Sequence, residues 1–596
     1  MNSVKARMIM MFLFLYFWEA CRHAGMQACR ADRERECVKS MLFDVWGVGA
    51  PRPFQVEAIT FLAFGKEKVL VCQQTGAGKT LVLFGAWTLL GGVTIFVTPL
   101  ISLGNGIAAR AMGGGRSVIH LDAVFGCNRS AVKSKLGARR RGEGPVLVVT
   151  SPQALLKGSF WRAVVHKLFQ NNAVSLVCID EAHCVPMHGT ATFRPEFAKL
   201  KENLLLLARS QHHRTPEVYL SASLSRRRKD ALLRMIGLDK FERVVWGWPG
   251  RREIKLEVKF TPQSTTPELK KFVKRRLRAG QDDKVVVYTE SRTRAAGPLA
   301  ASLRAAMQKE NISSQLLVLH GETPPALRYW VVANFCDRLQ DVDCRLLLST
   351  SAGNYGISPP RCTAVGFDGI PSSMEDLVQR AGRAGRQHGR QRDLVALVAV
   401  SLGSVTLLMK RIAAVPCLAD RSSQTSDFME VLKFVVLASG CKHAQMERMF
   451  TGPTASAASF GGDCGGACSF CLGQHGAPRV NVGGVVNALS VDAFLGRRCP
   501  AREAVNVVHS RSGEVWPGGE ATKGCAVLLI LQLLAAEIVG WAVAPTGIGG
   551  GRSVELFWKL VGGSRSRSNR MKTFAHREEQ RWEGIPHHAA QNHFHK

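Results

Sequence analysis

The residues best suited to chemistry lie in the stretch Lys68–Thr80 (KVLVCQQTGAGKT), which ends in a glycine-rich turn. An apolar strand precedes the turn and a helical pattern follows it, which is the context that a phosphate-binding loop requires. Glycines let the backbone approach an anion, so that amide N–H groups and the helix N-terminus can face phosphate oxygens. Lys79 would bring a positive charge to the β- and γ-phosphates, and Thr80 a hydroxyl to Mg²⁺. The sequence therefore predicts a nucleoside triphosphate site formed by Thr75, Gly76, Ala77, Gly78, Lys79 and Thr80.

A pair of acids follows a second apolar strand, in Val174–Cys184 (VSLVCIDEAHC). Asp180 could hold Mg²⁺ through water, and Glu181 could orient or deprotonate an attacking water molecule. Two adjacent acids after a strand could also be a solvated turn. The phosphate loop earlier in the chain favours the catalytic interpretation.

A third candidate group is the segment QRAGRAGR, Gln379–Arg386. Arg383 and Arg386 are three residues apart and would lie on one helical face, where guanidinium groups suit the charge of a transferring phosphoryl group. The alternative is a solvated basic helix, which is disfavoured because the segment is too rich in glycine to be a good isolated helix. We predict that Arg386 stabilises the γ-phosphoryl group from a second lobe, with Arg383 and Gln379 coupling that lobe to the site.

Upstream of the phosphate loop, Arg52 and Gln55 precede an amphipathic helix. A glutamine amide has both a donor and an acceptor and could read an adenine edge, while an arginine could lie over the base. The pair alone means little, because surface arginine and glutamine are common. Its position shortly before the phosphate loop makes it a candidate for nucleotide recognition.

Four cysteines near residue 450 have the spacing of a metal site: Cys441, Cys464, Cys468 and Cys471. Four thiolates suffice for a tetrahedral structural Zn²⁺, which would stabilise a subdomain with little apolar core. Free buried cysteines, or a site that has lost its metal, are the alternatives. His443 and His475 could substitute as ligands but are expected at the surface.

Composition indicates several domains and a polyanionic partner. The chain has 596 residues, which predicts two to four domains. Lys and Arg number 79 against 46 Asp and Glu, a formal net charge of +33 that favours nucleic acid as partner. Seventeen cysteines are too few for a disulfide scaffold and indicate a reducing compartment. The apolar run Met8–Trp18 is too short to span a bilayer, and we expect a buried helix or an extension there, with no membrane partner.

Alternating strand and helix patterns must position these residues. Buried-strand patterns occur at Val93–Val97 and Val146–Val149, and a basic amphipathic helix near residue 230 links two runs of such patterns. We predict an N-terminal extension (1–45), two α/β domains (46–246 and 247–412), a zinc-binding subdomain (413–475) and a C-terminal region (476–596).

Taken together, these motifs resemble the RecQ family of superfamily-2 DNA helicases. The segments that carry the resemblance are GAGKT (Gly76–Thr80), TPLISL (Thr98–Leu103), DEAHC (Asp180–Cys184), FRPEF (Phe193–Phe197), VYLSAS (Val218–Ser223), KVVVYTES (Lys284–Ser291), Leu316–Phe335, CRLLLSTSAGNYGIS (Cys344–Ser358) and QRAGRAGR. The resemblance covers Pro51–Cys471 and implies two tandem RecA-like domains that bind ATP and Mg²⁺ and hold a structural Zn²⁺ in a small subdomain. It also implies 3′-to-5′ movement on single-stranded DNA, duplex separation in repair or recombination, and a nuclear location in a eukaryote.

Two departures from the family pattern affect this expectation. The loop Val185–Thr192 (VPMHGTAT) has His188 near the position of a tryptophan that couples DNA binding to hydrolysis in the family. Ser358 stands where the family has aspartate. A degenerate ATPase that binds nucleic acid without unwinding it is therefore one alternative. An RNA helicase is another, disfavoured by FRPEF and the cysteines.

The C-terminal region carries weaker signals. Cys525–Val543 has the pattern of an apolar helix, and SVELFWKLV after it predicts a strand. Such an order is compatible with a winged helix, but an apolar helix and a hairpin occur in many folds. The basic segment SRSRSNRMK is expected to be disordered and to contact phosphates without sequence preference.

Overall fold

The described part of the chain covers most of the two predicted α/β domains and little beyond them. The computed structural model describes residues 27–99, 101–113, 116–123, 128–140, 143–157, 159–189, 194–211, 214–248, 250–261, 263–354, 357–385, 393–436 and 441–451, then 464, 468, 471, 499–500, 506, 509, 530–531, 534, 539–545 and 552–558. The chain divides into two compact units, Met1–Gly247 and Trp248–Lys596. Across these ranges, the helices are all too short or too polar to cross a membrane.

The first unit is built on a parallel sheet of seven strands in the order β3-β4-β2-β5-β6-β1-β7. The strands are β1 (Lys68–Cys72), β2 (Val93–Val97), β3 (Ser117–His120), β4 (Val146–Thr150), β5 (Val174–Ile179), β6 (Glu217–Ser221) and β7 (Arg243–Trp246). Its α-helices are Gln27–Trp46, Pro53–Thr60, Thr80–Leu90, Ile101–Met112, Asn128–Gly137, Pro152–Lys157, Ser159–Gln170, Cys184–His188, Leu206–Arg209 and Arg226–Ile236, with π-helical turns at Phe61–Gly65 and Lys201–Leu205 and a 3₁₀ turn at Leu121–Ala123. The central strands are buried on both faces, as their unbroken apolar runs predict.

The helix Gln27–Trp46 belongs to the core of the first unit. Val38, Met41 and Leu42 are buried against the helices Pro53–Thr60 and Thr80–Leu90. At the end of the helix, the Trp46 ring stacks on Phe84 with centroids 4.5 Å apart. Much of the predicted extension is therefore packed structure, whereas the apolar run Met8–Trp18 lies outside the described residues.

The second unit contains a parallel sheet of six strands in the order β10-β11-β9-β12-β13-β8. The strands are β8 (Ile254–Thr261), β9 (Lys284–Thr289), β10 (Gln315–Leu319), β11 (Cys344–Ser349), β12 (Cys362–Asp368) and β13 (Leu394–Ser401). The helices are Thr266–Ala279, Arg292–Ala296, Pro298–Lys309, Pro325–Phe335, Met374–Ala381, Leu402–Ala413, Leu418–Val436 and Lys442–Thr451, with a 3₁₀ turn at Ser351–Gly353. Two tandem parallel α/β sheets confirm the predicted fold class.

The C-terminal region corrects one prediction. The apolar segment predicted as a single helix, Cys525–Val543, is helical at Ile530, Leu531 and Leu534 but becomes a strand from Val539. This strand, β15 (Val539–Pro545), pairs antiparallel with β16 (Arg552–Trp558), which also pairs with β14 (Cys499–Pro500). β16 confirms the strand predicted for SVELFWKLV, and the winged-helix interpretation stays a prediction. The basic segment SRSRSNRMK lies outside the described residues.

Candidate functional site

The strand order brings the predicted nucleotide-binding segments of the first unit together. β6 lies between β1 and β5, so the phosphate loop after β1 and the acids after β5 emerge on either side of it. Because these strands are parallel, their carboxyl ends share one edge of the sheet, where open α/β sheets bind ligands. The phosphate loop and the two acids therefore lie at the same edge of the first sheet.

The phosphate loop has the backbone that its glycines predict. Gly76 and Gly78 both have φ of 82°, a left-handed conformation that favours glycine. The Lys79 ammonium donates hydrogen bonds to the carbonyl oxygens of Gln73 at 2.9 Å and Gln74 at 3.2 Å. The helix Thr80–Leu90 begins directly after Lys79. Lysine, hydroxyl and helix N-terminus are therefore grouped around one loop.

Gln55 braces this loop. Its Oε1 accepts a hydrogen bond from the backbone N–H of Arg52 at 2.8 Å, and its Nε2 donates to the Gly78 carbonyl at 2.9 Å. A Cβ at Gly78 would lie 2.8 Å from Nε2, so a larger residue here would have to displace the end of the Gln55 side chain. Both ends of the Gln55 amide thus bond to protein backbone, while Arg52 is exposed. Adenine recognition by this pair stays a prediction.

The two acids occupy a strained and partly buried position. Burial, followed by the neighbouring Glu181, raises the pKa of Asp180 from its ordinary 3.8 to about 7, and the Lys79 charge opposes the rise. Glu181 has φ of 46°, which is uncommon for a residue with a side chain and typical of functional sites. Its Oε2 lies 3.4 Å from His183 Nδ1.

His183 links the acids to the end of β6. Its Nδ1 lies 3.1 Å from Ser221 Oγ, and this hydroxyl donates to the Ser223 carbonyl at 3.1 Å. His183 and Ser221 are both buried, so the link is shielded from water. Neither residue was among the predicted site residues, although both lie in motifs that carry the resemblance. A change at Glu181 can therefore reach the segment Val218–Ser223 through direct contacts.

The loop that departs from the family pattern is described at its two ends. At one end the Pro186 carbonyl accepts a hydrogen bond from Arg228 at 3.0 Å. At the other end Arg194, with φ of 51°, donates to the Pro99 carbonyl at 3.1 Å, which joins FRPEF to TPLISL. The His188 side chain and residues 190–193 lie outside the described part, so the effect of this departure stays a prediction.

In the second unit, the segment QRAGRAGR is anchored by an arginine that the sequence did not single out. Arg380 is buried and donates to Asn354 Oδ1 at 2.8 Å and to Glu290, and it also lies 3.5 Å from Asp376. Burial alone would raise the pKa of Glu290, but Arg380 and Arg411 lower it below its ordinary value. This network ties the helix Met374–Ala381 to the carboxyl ends of β9 and β11.

Of the two arginines in the predicted pair, Arg383 lies among the residues that the structure describes. Gln379 and Arg383 are buried within the second unit, and Arg383 donates to the Ile357 carbonyl. Ser358, the second departure from the family pattern, follows that carbonyl and is exposed. Arg386, the predicted finger, lies outside the described residues, and its role stays a prediction.

The cysteines form a candidate metal centre with an unexpected member. The ligand atoms of Cys441, His443, Cys464 and Cys468 all lie within 4.8 Å of one another, which fits a four-coordinate ion after a small contraction. His443 is buried, so the expectation of a surface residue was wrong. Cys471 is hydrogen-bonded to the Cys464 thiol. His475 lies outside the described residues.

The centre is attached to the edge of the second sheet. The backbone of Cys468 forms a bridge with Leu256 of β8, and the Lys442 N–H donates to Cys468 Sγ at 3.4 Å. A hydrogen bond from Cys441 is the main cause that lowers the pKa of Cys468 to about 2. Cys468 is therefore held against β8 by its backbone and contacts Lys442 and Cys441 through its sulfur.

Comparisons with known proteins agree with this geometry. Residues 52–231 match the family described as DEAD/DEAH box helicase, and residues 268–388 match the helicase conserved C-terminal domain. The first match contains the phosphate loop, the acids and Ser221. The second contains Glu290, Arg380 and Arg383.

Individual relatives are similar over longer stretches. The chain is 25% identical over 436 residues to the ATP-dependent DNA helicase Q-like 2 of Arabidopsis thaliana, covering 72% of this chain and 56% of the relative. It is 26% identical over 364 residues to the ATP-dependent DNA helicase RecQ of Haemophilus influenzae, covering 59% of this chain and 52% of the relative. A shorter match, 33% identical over 180 residues, is to the ATP-dependent DNA helicase Q5 of Rattus norvegicus, covering 28% and 17%. The chain thus spans about half the length of the first two relatives and 17% of the length of the third.

Proposed function

Because the chain belongs to the RecQ-like helicases of superfamily 2, we propose that it is an ATP-dependent DNA helicase. It would couple ATP hydrolysis to 3′-to-5′ movement along single-stranded DNA and to duplex separation in repair or recombination. The observation that carries this proposal is the meeting of Lys79, Asp180 and Glu181 at the carboxyl ends of β1 and β5, which lie on either side of β6, and the link through His183 to Ser221. A net charge of +33 fits a DNA partner.

Each residue has a defined role in this proposal. Lys79 binds the β- and γ-phosphates, and Thr80 and Asp180 hold Mg²⁺, which supplies positive charge to the phosphates. Glu181 orients the attacking water and accepts its proton. Thr75, Gly76, Ala77 and Gly78 complete the phosphate loop, with Arg52 and Gln55 at the adenine side.

The arginine-rich segment of the second unit would complete the reaction. Arg386 stabilises the charge that develops on the γ-phosphoryl group, and Gln379 and Arg383 transmit nucleotide state to the second unit. The buried Arg380 network supports this role because it fixes the helix Met374–Ala381, which contains Gln379 and leads directly to Arg383. In a eukaryotic cell this activity would belong in the nucleus.

We also propose a structural zinc in the cysteine cluster. The donors are soft, three of them are cysteines, and the residues come from two separate segments that a metal would join. Zinc would stabilise the attachment of these segments to β8 without taking part in hydrolysis.

The proposal is tested by nucleic-acid stimulation of hydrolysis. We expect a single-stranded DNA oligonucleotide to stimulate ATPase activity more than an RNA oligonucleotide of the same sequence. Greater stimulation by RNA would favour an RNA helicase instead.

A second candidate is an ATPase that binds DNA without separating strands. It is favoured by the exposed Ser358 beside the carbonyl that holds Arg383, and by the altered loop Val185–Thr192. Stimulated hydrolysis without strand separation would be its signature.

A further inference from the structure

We infer that His443 is a zinc ligand, so that the metal is held by three sulfurs and one nitrogen instead of four sulfurs. This inference rests on the zinc site proposed above and concerns only its ligand set. Cys441, Cys464 and Cys468 supply the sulfurs. Cys471, the fourth cysteine of the cluster, then remains a thiol beside the site.

The distances favour this set. Zinc–sulfur bonds of about 2.3 Å and zinc–nitrogen bonds of about 2.0–2.1 Å place tetrahedral ligand atoms about 3.5–3.8 Å apart. Among the residues that the structure describes, Cys441, His443, Cys464 and Cys468 form the group whose ligand atoms all lie within 4.8 Å of each other, and Cys471 is not a member. Movements of about an ångström would close the site.

The orientation of the imidazole also fits a ligand. Nε2 of His443 lies 3.2 Å from the Ile254 carbonyl oxygen, which can only accept a hydrogen bond. Nε2 therefore carries the proton, and Nδ1 keeps its lone pair. Histidine ligands of metals commonly donate their other ring N–H to a backbone carbonyl in this way.

The ring is held in place by its surroundings. His443 is 3% exposed and stacks on Trp248 with centroids 6.4 Å apart and an interplanar angle of 23°. Cys441 directly precedes the helix Lys442–Thr451 and His443 is its second residue, so one short stretch of backbone supplies two ligands. Because the donor is already oriented, little side-chain entropy is lost when metal binds.

Cys468 is fixed against β8 and fully buried, whereas Cys471 is more exposed. Cys464 and Cys468 are separated by three residues, and the backbone bridge at Leu256 fixes Cys468 against β8. Cys471 lies three residues further on and is half-buried. With three thiolates the loaded site carries one negative charge instead of two, which is easier to bury.

The test uses the full chain purified with zinc and examined by metal analysis and zinc X-ray absorption. We expect one zinc per chain with three sulfur neighbours and one nitrogen neighbour. Cys471→Ser should leave metal content and spectrum unchanged, whereas His443→Ala should weaken zinc binding by at least about tenfold. His443→Cys is the control for misfolding, because it places a sulfur ligand at the same position. It should keep one zinc per chain and give a spectrum with four sulfur neighbours.

Alkylation gives an independent readout. In the native zinc-loaded protein, iodoacetamide should modify Cys471 and spare Cys441, Cys464 and Cys468, as mass spectrometry of peptides would show. A four-sulfur spectrum of the unaltered chain, with metal lost in Cys471→Ser and kept in His443→Ala, would overturn the inference alone. A chain that binds no zinc would overturn both the inference and the proposed zinc site.

Discussion

The side chain of Gln55 is joined to the backbone of Gly78 by a hydrogen bond of 2.9 Å from Nε2 to the carbonyl oxygen. The other end of the same amide accepts a hydrogen bond from the Arg52 N–H. The helix Pro53–Thr60 and the phosphate loop are therefore joined directly through one side chain. A residue predicted to read the base thus contacts the backbone of the loop predicted to bind the phosphates.

Replacing Gln55 should therefore weaken ATP binding through the loop. In Gln55→Ala the Gly78 carbonyl loses its partner, and a net hydrogen bond is worth about 0.5–1.5 kcal/mol. We expect the KM for ATP to rise about three- to tenfold, with a similar rise for GTP because the loop binds phosphates. Glu57→Ala, on the exposed side of the same helix, is the matched control. A loss confined to ATP would mean that Gln55 acts by reading adenine alone.

Lys79→Ala should abolish hydrolysis while leaving DNA binding intact. The substitution removes the charge that faces the β- and γ-phosphates, so turnover should fall at least about a hundredfold. Fluorescence anisotropy with a labelled oligonucleotide should give a Kd within about threefold of the unaltered chain, because Lys79 is bonded inside the loop. Lys271→Ala, whose side chain is 74% exposed, controls for the lost charge. Turnover that survives in Lys79→Ala would remove the proposed site.

The raised pKa of Asp180 predicts a pH-dependent stability in the absence of Mg²⁺. The folded carboxyl titrates near pH 7, whereas in the unfolded chain it has its ordinary value of 3.8. As the pH rises between these values, the unfolded chain loses its proton first, so folding becomes less favourable. This destabilisation is complete once the pH exceeds the folded pKa.

Asp180→Asn isolates this effect because an amide of the same shape does not titrate. We expect its Tm, relative to the unaltered chain, to be higher at pH 8 than at pH 5. Mg²⁺ should reduce the difference, because a cation beside the carboxylate favours its ionised form. An equal Tm difference at both pH values would show that Asp180 has no raised pKa.

Arg380 and Arg411 both pair with Glu290 but should differ in their contribution to stability. Arg380 is fully buried, so Arg380→Ala removes the buried partner of Glu290 and Asp376 and should lower the free energy of unfolding by about 3–5 kcal/mol. The Arg411 side chain is 51% exposed, and Arg411→Ala should cost less than about 1 kcal/mol. Urea unfolding measures both. Equal effects would show that the buried network does not anchor the helix.

Local patterns predicted where the phosphate loop and the acids of the first unit lie in the fold. The strand Val93–Val97 agrees with β2 residue for residue, and the acids after β5 and the loop after β1 meet as the α/β pattern requires. Each of these features depends on a few consecutive residues and on the rule that parallel strands end at one edge.

Long-range contacts could not be predicted in the same way. Glu290 and Arg380 are far apart in sequence, and nothing near either residue indicates the other. The carbonyl of Ile254 likewise decides the environment of His443. In Cys525–Val543, a mostly apolar run with no clear helical or alternating period could not distinguish the helix at Ile530 from the strand β15.

Strand separation on a duplex with a single-stranded 3′ tail tests the central claim most directly. We predict that the chain separates this duplex when ATP and Mg²⁺ are present, and separates a 5′-tailed duplex far less. Lys79→Ala, and the unaltered chain with a non-hydrolysable ATP analogue, should leave the duplex intact. DNA-stimulated hydrolysis with no strand separation on either substrate would contradict the helicase assignment.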